Sequence, residues 1–358
     1  MDLLGMSDDY QYHCLSQYEC HQLAREYLIN AARECCPTKE EIMIGIFGCS
    51  SGNNDLLAVE KFILPTLYSR FPNHSIEIFM IDISKTVWTT SRRKLTILKS
   101  DYTNIFIQGI MANVYTPLFD ENSLDIVISF SCLHWLNKIP VPLSGQDRKN
   151  DFCWSLLGNE KQKIIDDYSN SQLTKFLWHR CRELRPKGQL VVSFDGYQSG
   201  HPHHFQGPSE AVSEAIHNII SRDQDSNTCS SQLESFFIPT SPRSLDSVAK
   251  CVLDNNSWEH SKTLLDVQTV KCPFWEKRIA SLNSNSDIMP EKINQEYSNS
   301  ITNSIMSCIG PIINSRPSLD SERMIDSLQQ EIVNIIYQNP VKRYSTEGKV
   351  ILLKCNKI

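Results

Sequence analysis

The sequence predicts an α/β fold: a doubly wound, Rossmann-like sheet with a mostly helical cap inserted before its last strand. Three observations predict it. Short apolar runs near residues 42–47, 76–81, 104–108, 125–130 and 189–195 alternate with helical patterns. The first run breaks into a turn rich in Gly, Ser and Asn, Gly48-Cys49-Ser50-Ser51-Gly52-Asn53-Asn54. After Gly196 the alternation stops, and one apolar run, Lys349–Lys354, closes the chain as a final sheet strand.

The elements follow in order. Ile42 to Phe47 is the first strand, and Gly48 and Gly52 give the turn after it the freedom to approach a ligand with bare backbone. A helix follows with Leu56, Leu57, Val59, Phe62, Ile63 and Leu67 on one side, and its N-terminus offers free N–H groups. Strand, glycine turn and helix form the nucleotide-type cofactor site of such sheets. The second strand, Ser75–Ile81, ends in Asp82. A carboxylate there holds a ribose diol, although the spacing from Gly52 exceeds the usual roughly 20 residues. Alternatively, Asp82 caps a helix starting near Ser84. The strand from Asp125 opens into Ser131-Cys132-Leu133-His134-Trp135-Leu136, which the topology places at the carboxyl edge of the sheet. Leu133 and Leu136 are core residues, whereas His134 and Trp135 carry polar groups that need partners if buried.

Between Leu156 and Arg185 runs a long helical pattern, stopped by Pro186-Lys187-Gly188. Further helical segments are expected near 208–221, 244–254, 290–309 and 319–337, with a β-rich piece at 258–274. The expected division is therefore a cofactor-binding α/β domain of residues 1–196 and 346–358, and a helical cap of 197–345 over the ligand crevice. Ser- and Asn-rich stretches at Ser221–Ser235 and Ser281–Ser304 are expected loops. His201, His203 and His204 lack the cysteines or carboxylates of a structural metal site, and a solvated loop is expected.

The 358 residues permit a large core with an elaborated insertion. A net charge of -6 without a Lys/Arg stripe argues against nucleic acid, and no apolar run is long enough for a bilayer. Thirteen scattered cysteines fit a reduced, cytoplasmic chain better than a disulfide framework. A homodimer stays open.

Four ordered motifs resemble the SABATH methyltransferases, which methylate small carboxylic acids or ring nitrogens with S-adenosylmethionine. They are Gly48–Asn54, Cys132-Leu133-His134-Trp135-Leu136 through Pro140, Phe176-Leu177 through Arg182-Glu183-Leu184-Arg185-Pro186-Lys187-Gly188, and Phe236-Phe237-Ile238-Pro239-Thr240-Ser241-Pro242. The resemblance spans nearly the whole chain and implies a small-molecule acceptor, most simply a carboxylic acid. N-methylation of a heterocycle, or cofactor binding without turnover, are the alternatives.

For the cofactor, the resemblance implies Tyr12 and Ser16 near the methionine and sulfonium, Gly48, Cys49 and Asn54 along the first turn, Asp82 with Ile83 at ribose and base, and Asn113 with Val114 at adenine. Ile46 stands where the family usually has Asp, so the methionine ammonium needs another acceptor. For the methyl acceptor it implies Ser131, Cys132, His134 and Trp135, with Glu19 replacing a Gln that helps hold the acceptor carboxylate. A charged Glu19 would repel a carboxylate by roughly 1–4 kcal/mol. Three readings of Glu19 remain: a protonated donor, a partner for a heterocycle N–H, or half of a Ser16-x-x-Glu19 capping box on a helix starting near Gln17. A carboxylate acceptor needs no general base; a nitrogen acceptor would make His134 the candidate base, and otherwise His134 only orients by hydrogen bonding. Some family members hold magnesium near the cap through an Asp and a Phe-Asn pair. Here the stretch is Glu234-Ser235-Phe236-Phe237, and a weak site through Asn150, Glu234 and the carbonyls of Phe236 and Phe237 stays open.

Overall fold

A computed structural model describes residues 6, 10–50, 52–84, 102–140, 152–198, 201, 203, 205–222, 236–284, 288–314, 321–340 and 347–358. Its strands are β1 (Glu41–Phe47), β2 (Ser75–Asp82), β3 (Ile105–Met111), β4 (Leu124–Phe130), β5 (Leu184–Tyr197), β6 (Arg243–Ser244), β7 (Leu264–Lys271) and β8 (Glu347–Asn356). The main sheet runs β3-β2-β1-β4-β5-β8-β7, with β6 paired to β5. Strands β1 to β5 are mutually parallel; β8 is antiparallel to β5, and β7 to β8. The chain reverses its direction of growth between β1 and β4. That switch point opens a crevice beyond the carboxyl ends of the strands.

The central strands are buried on both faces, as parallel sheets covered by helices must be. Ile42, Ile44 and Ile46 alternate onto one face, with Ile76, Ile78 and Met80 beside them. Helix Arg25–Glu34 and the helix starting at Asn53 cover that face through Leu28, Leu56, Val59 and Ile63. The latter helix passes through one π turn, Val59–Ile63, before continuing to Arg70. Leu57 is only half-buried. On the other face Phe47, Ile81 and Val127 meet Phe176 and Leu177 of the long helix Asn159–Glu183.

That long helix ends at Glu183 and β5 begins at the next residue. The Pro186-Lys187-Gly188 break sits inside β5, where the register jumps from Leu124↔Leu184 to Ile126↔Gln189 and Lys187 adopts φ 65°. The helix stop is therefore also a strand irregularity.

The expected cap boundary needs correction. Helix Leu245–Leu253 packs Val248 and Val252 with Trp258 against the sheet cluster around Phe194, and β7 is an edge strand of the main sheet. The β-rich piece thus belongs with the sheet, and the region from Arg243 to Lys271 interrupts the cap. The cap itself consists of helices Gln206–Arg222, Pro273–Asn283, Pro290–Asn314 and Ser321–Gln338. They share a separate core with Val212, Ile216, Ile309, Leu328 and Ile332. The expected loop at Ser281–Ser304 is mostly helix, because its serines and asparagines alternate with Ile293, Tyr297 and Ile301 at helical spacing, and these are buried. His203 is buried and bonds Asp195 Oδ2 through Nδ1 at 2.8 Å, which overturns the solvated-loop expectation there; His204 lies outside the described residues. Among the described residues no helix is long and apolar enough to cross a membrane.

Candidate active site

A cavity of about 260 Å³ lies at the switch point. Its floor is the turn after β1. Gly48 and Gly52 both hold φ +73°, in the left-handed region. A methyl group at Gly48 would overlap the Cys132 side chain, so the close approach of the β1 and β4 turns requires glycine there. Ser50 and Ser131 also take positive φ, at 50° and 52°. Non-glycine residues in this conformation concentrate at functional sites. Ser50 Oγ is buried with no hydrogen-bond partner among the described residues.

The ends of the next strands supply the walls. Asp82, 7% exposed, receives the Ser50 N–H on Oδ2 at 2.7 Å and the Ser84 N–H on Oδ1 at 2.9 Å. Burial pushes its carboxyl above the usual carboxylate range, and these N–H groups pull it partly back. Asp82 therefore ties the first turn to the second and closes an Asx turn onto Ser84. The supposed helix beyond Ser84 lies outside the described residues from 85 onward. After β3, Asn113 donates to Asn137 Oδ1 at 2.9 Å and accepts from the Tyr115 N–H at 3.0 Å. Arg180, fully buried, donates to the carbonyls of Val114 and Thr116 at 2.7 and 2.8 Å and stacks over Phe47. Arg243 likewise fixes the β4 turn, through Leu133 O at 2.6 Å. Neither arginine was among the expected site residues, because each acts through the backbone it holds.

The structure brings Gly48, Cys49, Asn54, Asp82, Ile83, Asn113, Val114, Ser131, Cys132 and Trp135 together around this cavity. Burial raises the Cys49 and Cys132 thiols well above their ordinary range, so neither is a ready nucleophile. His134 lines an adjoining recess of about 20 Å³ with Gln17, Ser131, Trp135 and Asp195. Its Nδ1 accepts the Asp195 N–H at 3.2 Å. With Nδ1 accepting, Nε2 is the ring nitrogen that can carry a proton, and the Nδ1 bond orients the imidazole against β5.

The N-terminal residues are shifted from expectation. Tyr12 is 69% exposed and Ser16 lines a separate small recess against the cap, while Glu19 lines none of these cavities. The helix is Leu15–Leu23, its N-cap is Cys14, and no side chain caps it, so the capping box does not form. Cys14, Gln17 and His21 face the cavity instead. Their spacing, i, i+3 and i+7, is one stripe of a helix. Gln17 and Glu19 are separated by about 200° around the axis, so a two-residue misalignment exchanged the cavity face for the opposite one. The signal that finds this wall is the stripe, not a motif. Asn54 Nδ2 locks it to the turn by donating to Cys14 O at 3.0 Å.

For magnesium, Asn150 and Glu234 lie outside the described residues. Phe236 packs in the cap core and Phe237 against Leu136, Leu157 and Ile165, both about 1% exposed. Their side chains offer no ligand.

The profile of the family described as SAM dependent carboxyl methyltransferase matches residues 5–355. The chain belongs to this family. Its methyl donor is S-adenosylmethionine, and a cavity with the buried Asp82 carboxyl, a Ser50 hydroxyl without a partner among the described residues and glycine-only backbone fits that molecule. Among curated members, a methyltransferase designated FUS9 from Gibberella moniliformis is 25% identical over 76% of this chain and 73% of its own length. The salicylate/benzoate carboxyl methyltransferase of Arabidopsis thaliana is 27% identical over 43% of each chain, so that alignment spans under half of the relative. A solved loganic acid methyltransferase with SAH superposes with a TM-score of 0.76 over 99% of this chain and 98% of its own, at 18% identity, which establishes the shared fold.

Proposed function

We propose that this methyltransferase forms methyl esters of a small carboxylic acid. The observation that carries the reading is Gln17. It lines both the cofactor cavity and the recess of His134 and Trp135, and its Oε1 is buried with no hydrogen-bond partner among the described residues. The residue facing the acceptor is then a neutral amide, the residue type that the family resemblance assigns to the acceptor carboxylate. The charge conflict expected from Glu19 disappears, and with it the main motive for a nitrogen acceptor.

When bound, S-adenosylmethionine supplies an electrophilic methyl on a sulfonium. The protein's task is positioning. Gln17 and Trp135 hold the acid by N–H donation, His134 orients the Trp135 turn, and the cap core around Trp135 excludes water. No proton has to leave an ionised acid, so no base is required. Opposite charges cancel as the new bond forms, so a dry site favours the step.

The test is turnover on a panel of small acids and ring-nitrogen heterocycles, with ester products resolved by mass. Ester formation is expected, and Gln17→Glu is expected to lower kcat/KM on acids by roughly 1–4 kcal/mol of repulsion. Transfer to heterocycles alone, or none at all with the donor bound, refutes the proposal. We also propose a reducing, cytoplasmic setting: the twelve described cysteines are free thiols, most of them buried. Fractionation of a tagged protein checks that assignment.

A further inference from the structure

The sequence reading left one end of the donor without a partner: Ile46 is fully buried in the apolar sheet cluster and offers nothing to an ammonium group. An amino-acid head group buried in protein needs an anionic or dipolar partner for its ammonium. Among the described lining residues the carboxylates are Asp82 and Asp55. Both oxygens of Asp82, at the end of β2, already accept backbone N–H groups, from Ser50 and Ser84. Asp55 stands elsewhere on the wall, in the first turn of the helix Asn53–Ala58, and is 6% exposed.

Asp55 is held in place. His21 Nε2 lies 3.1 Å from Asp55 Oδ1, and His21 Nδ1 lies 2.7 Å from Gln17 O. The imidazole packs on Phe130 with ring centroids 4.6 Å apart. A carbonyl oxygen only accepts, so Nδ1 carries the proton given to Gln17, and Nε2 faces Asp55 across a single shared proton. The two residues, 2% and 6% exposed, lie on the wall of the cavity. Asp55 spends Oδ1 on His21, and its carboxyl group has a second oxygen, Oδ2, to offer as an acceptor. The ammonium of the S-adenosylmethionine head group needs such an acceptor.

Resting on the methyltransferase reading, we propose that Asp55, oriented by His21, is the acceptor for the α-ammonium of S-adenosylmethionine, taking over at the start of the helix after β1 the role that position 46 cannot fill. Asp55 touches the donor; His21 is a positioning residue. The pair also couples the two substrates' walls. Gln17 O anchors His21, while the Gln17 side chain lines the acceptor recess.

The test is a binding cycle by calorimetry with three probes: S-adenosylhomocysteine, its analogue lacking only the α-amino group, and 5′-deoxy-5′-methylthioadenosine, which lacks the whole amino-acid head. Asp55→Asn keeps shape and can still donate to His21 Nε2, so the fold is retained. We expect this variant to bind S-adenosylhomocysteine 10- to 100-fold more weakly and methylthioadenosine within twofold of wild type. The amine-free analogue should bind wild type and variant alike. Parallel losses for all three probes would assign Asp55 to structure alone, and unchanged S-adenosylhomocysteine binding would remove it from the site. If Asp55→Asn does not fold, the wild type decides: equal affinity for S-adenosylhomocysteine and its amine-free analogue overturns the proposal. Wild type that binds none of the probes would instead overturn the donor assignment itself.

Discussion

The two walls of the cavity are built on different principles. One is made of strand ends: the turns after β1, β2, β3 and β4 deliver Gly48, Cys49, Ser50, Asn53 and Asn54, Asp82 with Ile83, Asn113 with Val114, and Ser131, Cys132 and Trp135. The other is one stripe of the helix Leu15–Leu23, with Cys14, Gln17 and His21. A strand end is fixed by sheet register, and any residue just past it reaches the crevice. On a helix, a slip of two residues turns a side chain to the far side. The first wall therefore tolerates an imperfect reading and the second does not.

The comparison is broken most severely at Gly48. Gly48→Ala forces a side chain into the left-handed region and into Cys132. Left-handed backbone costs about 1–2 kcal/mol and overpacking about 1–3, so a combined loss of about 2–5 kcal/mol is expected. Denaturant titration should show it, with loss of donor binding. Retained binding would mean that the β1 and β4 turns separate easily, and the strand-end wall would not be rigid.

Asp82→Asn tests the same wall more gently. Removing the charge should weaken S-adenosylmethionine by about 1.5–3 kcal/mol, or about 10- to 150-fold. The amide oxygen can still accept one of the N–H groups of Ser50 and Ser84, so stability should fall by only about 1 kcal/mol. A large drop in melting temperature with unchanged donor affinity would make Asp82 a turn-holder and nothing more.

Trp135→Phe moves to the boundary between the walls. The indole is 6% exposed and packs in the cap core with Phe205 at 6.3 Å, so truncation to Ala would confound folding with function. Phe keeps the wall and deletes the N–H. The acceptor KM is expected to rise by about 1 kcal/mol, roughly fivefold, with donor affinity unchanged. An unchanged KM would place the indole N–H away from the acid.

What was legible follows the same division. The succession of β1 to β5 and β8, and the cavity-lining residues just past them, were readable because apolar runs and turns mark strand ends locally. The membership of β7 in the sheet was not readable. Its pairing with β8, Leu264↔Lys354 through Lys271↔Glu347, joins segments far apart in sequence and leaves no local trace. The roles of Arg180 and Arg243 were hidden likewise, since a guanidinium that grips a backbone carbonyl carries no motif. The buried partner of His203, Asp195, sits on β5, outside the histidine cluster that drew attention to it.

The smallest expected effect is the most discriminating for the helical wall. Glu19→Gln removes a charge and restores the amide that a family alignment would place there, so a reading with Glu19 at the acceptor predicts a clear gain on carboxylic acids. The structure predicts silence. Glu19 is half-buried on another face of the helix, lines none of the described cavities, and takes no part in a cap. A surface substitution of this kind changes stability by no more than about 0.5 kcal/mol. kcat/KM on an acid should stay within about twofold of wild type, while Gln17→Glu, two residues away, should depress it strongly. The two variants differ only in which face of one helix carries the carboxylate. If Glu19→Gln raised acid turnover severalfold and Gln17→Glu left it intact, the helix would have to be rotated by more than half a turn from its position here. The stripe of Cys14, Gln17 and His21 would then not form the cavity wall, and the anchoring of His21 beside Asp55 would fall with it.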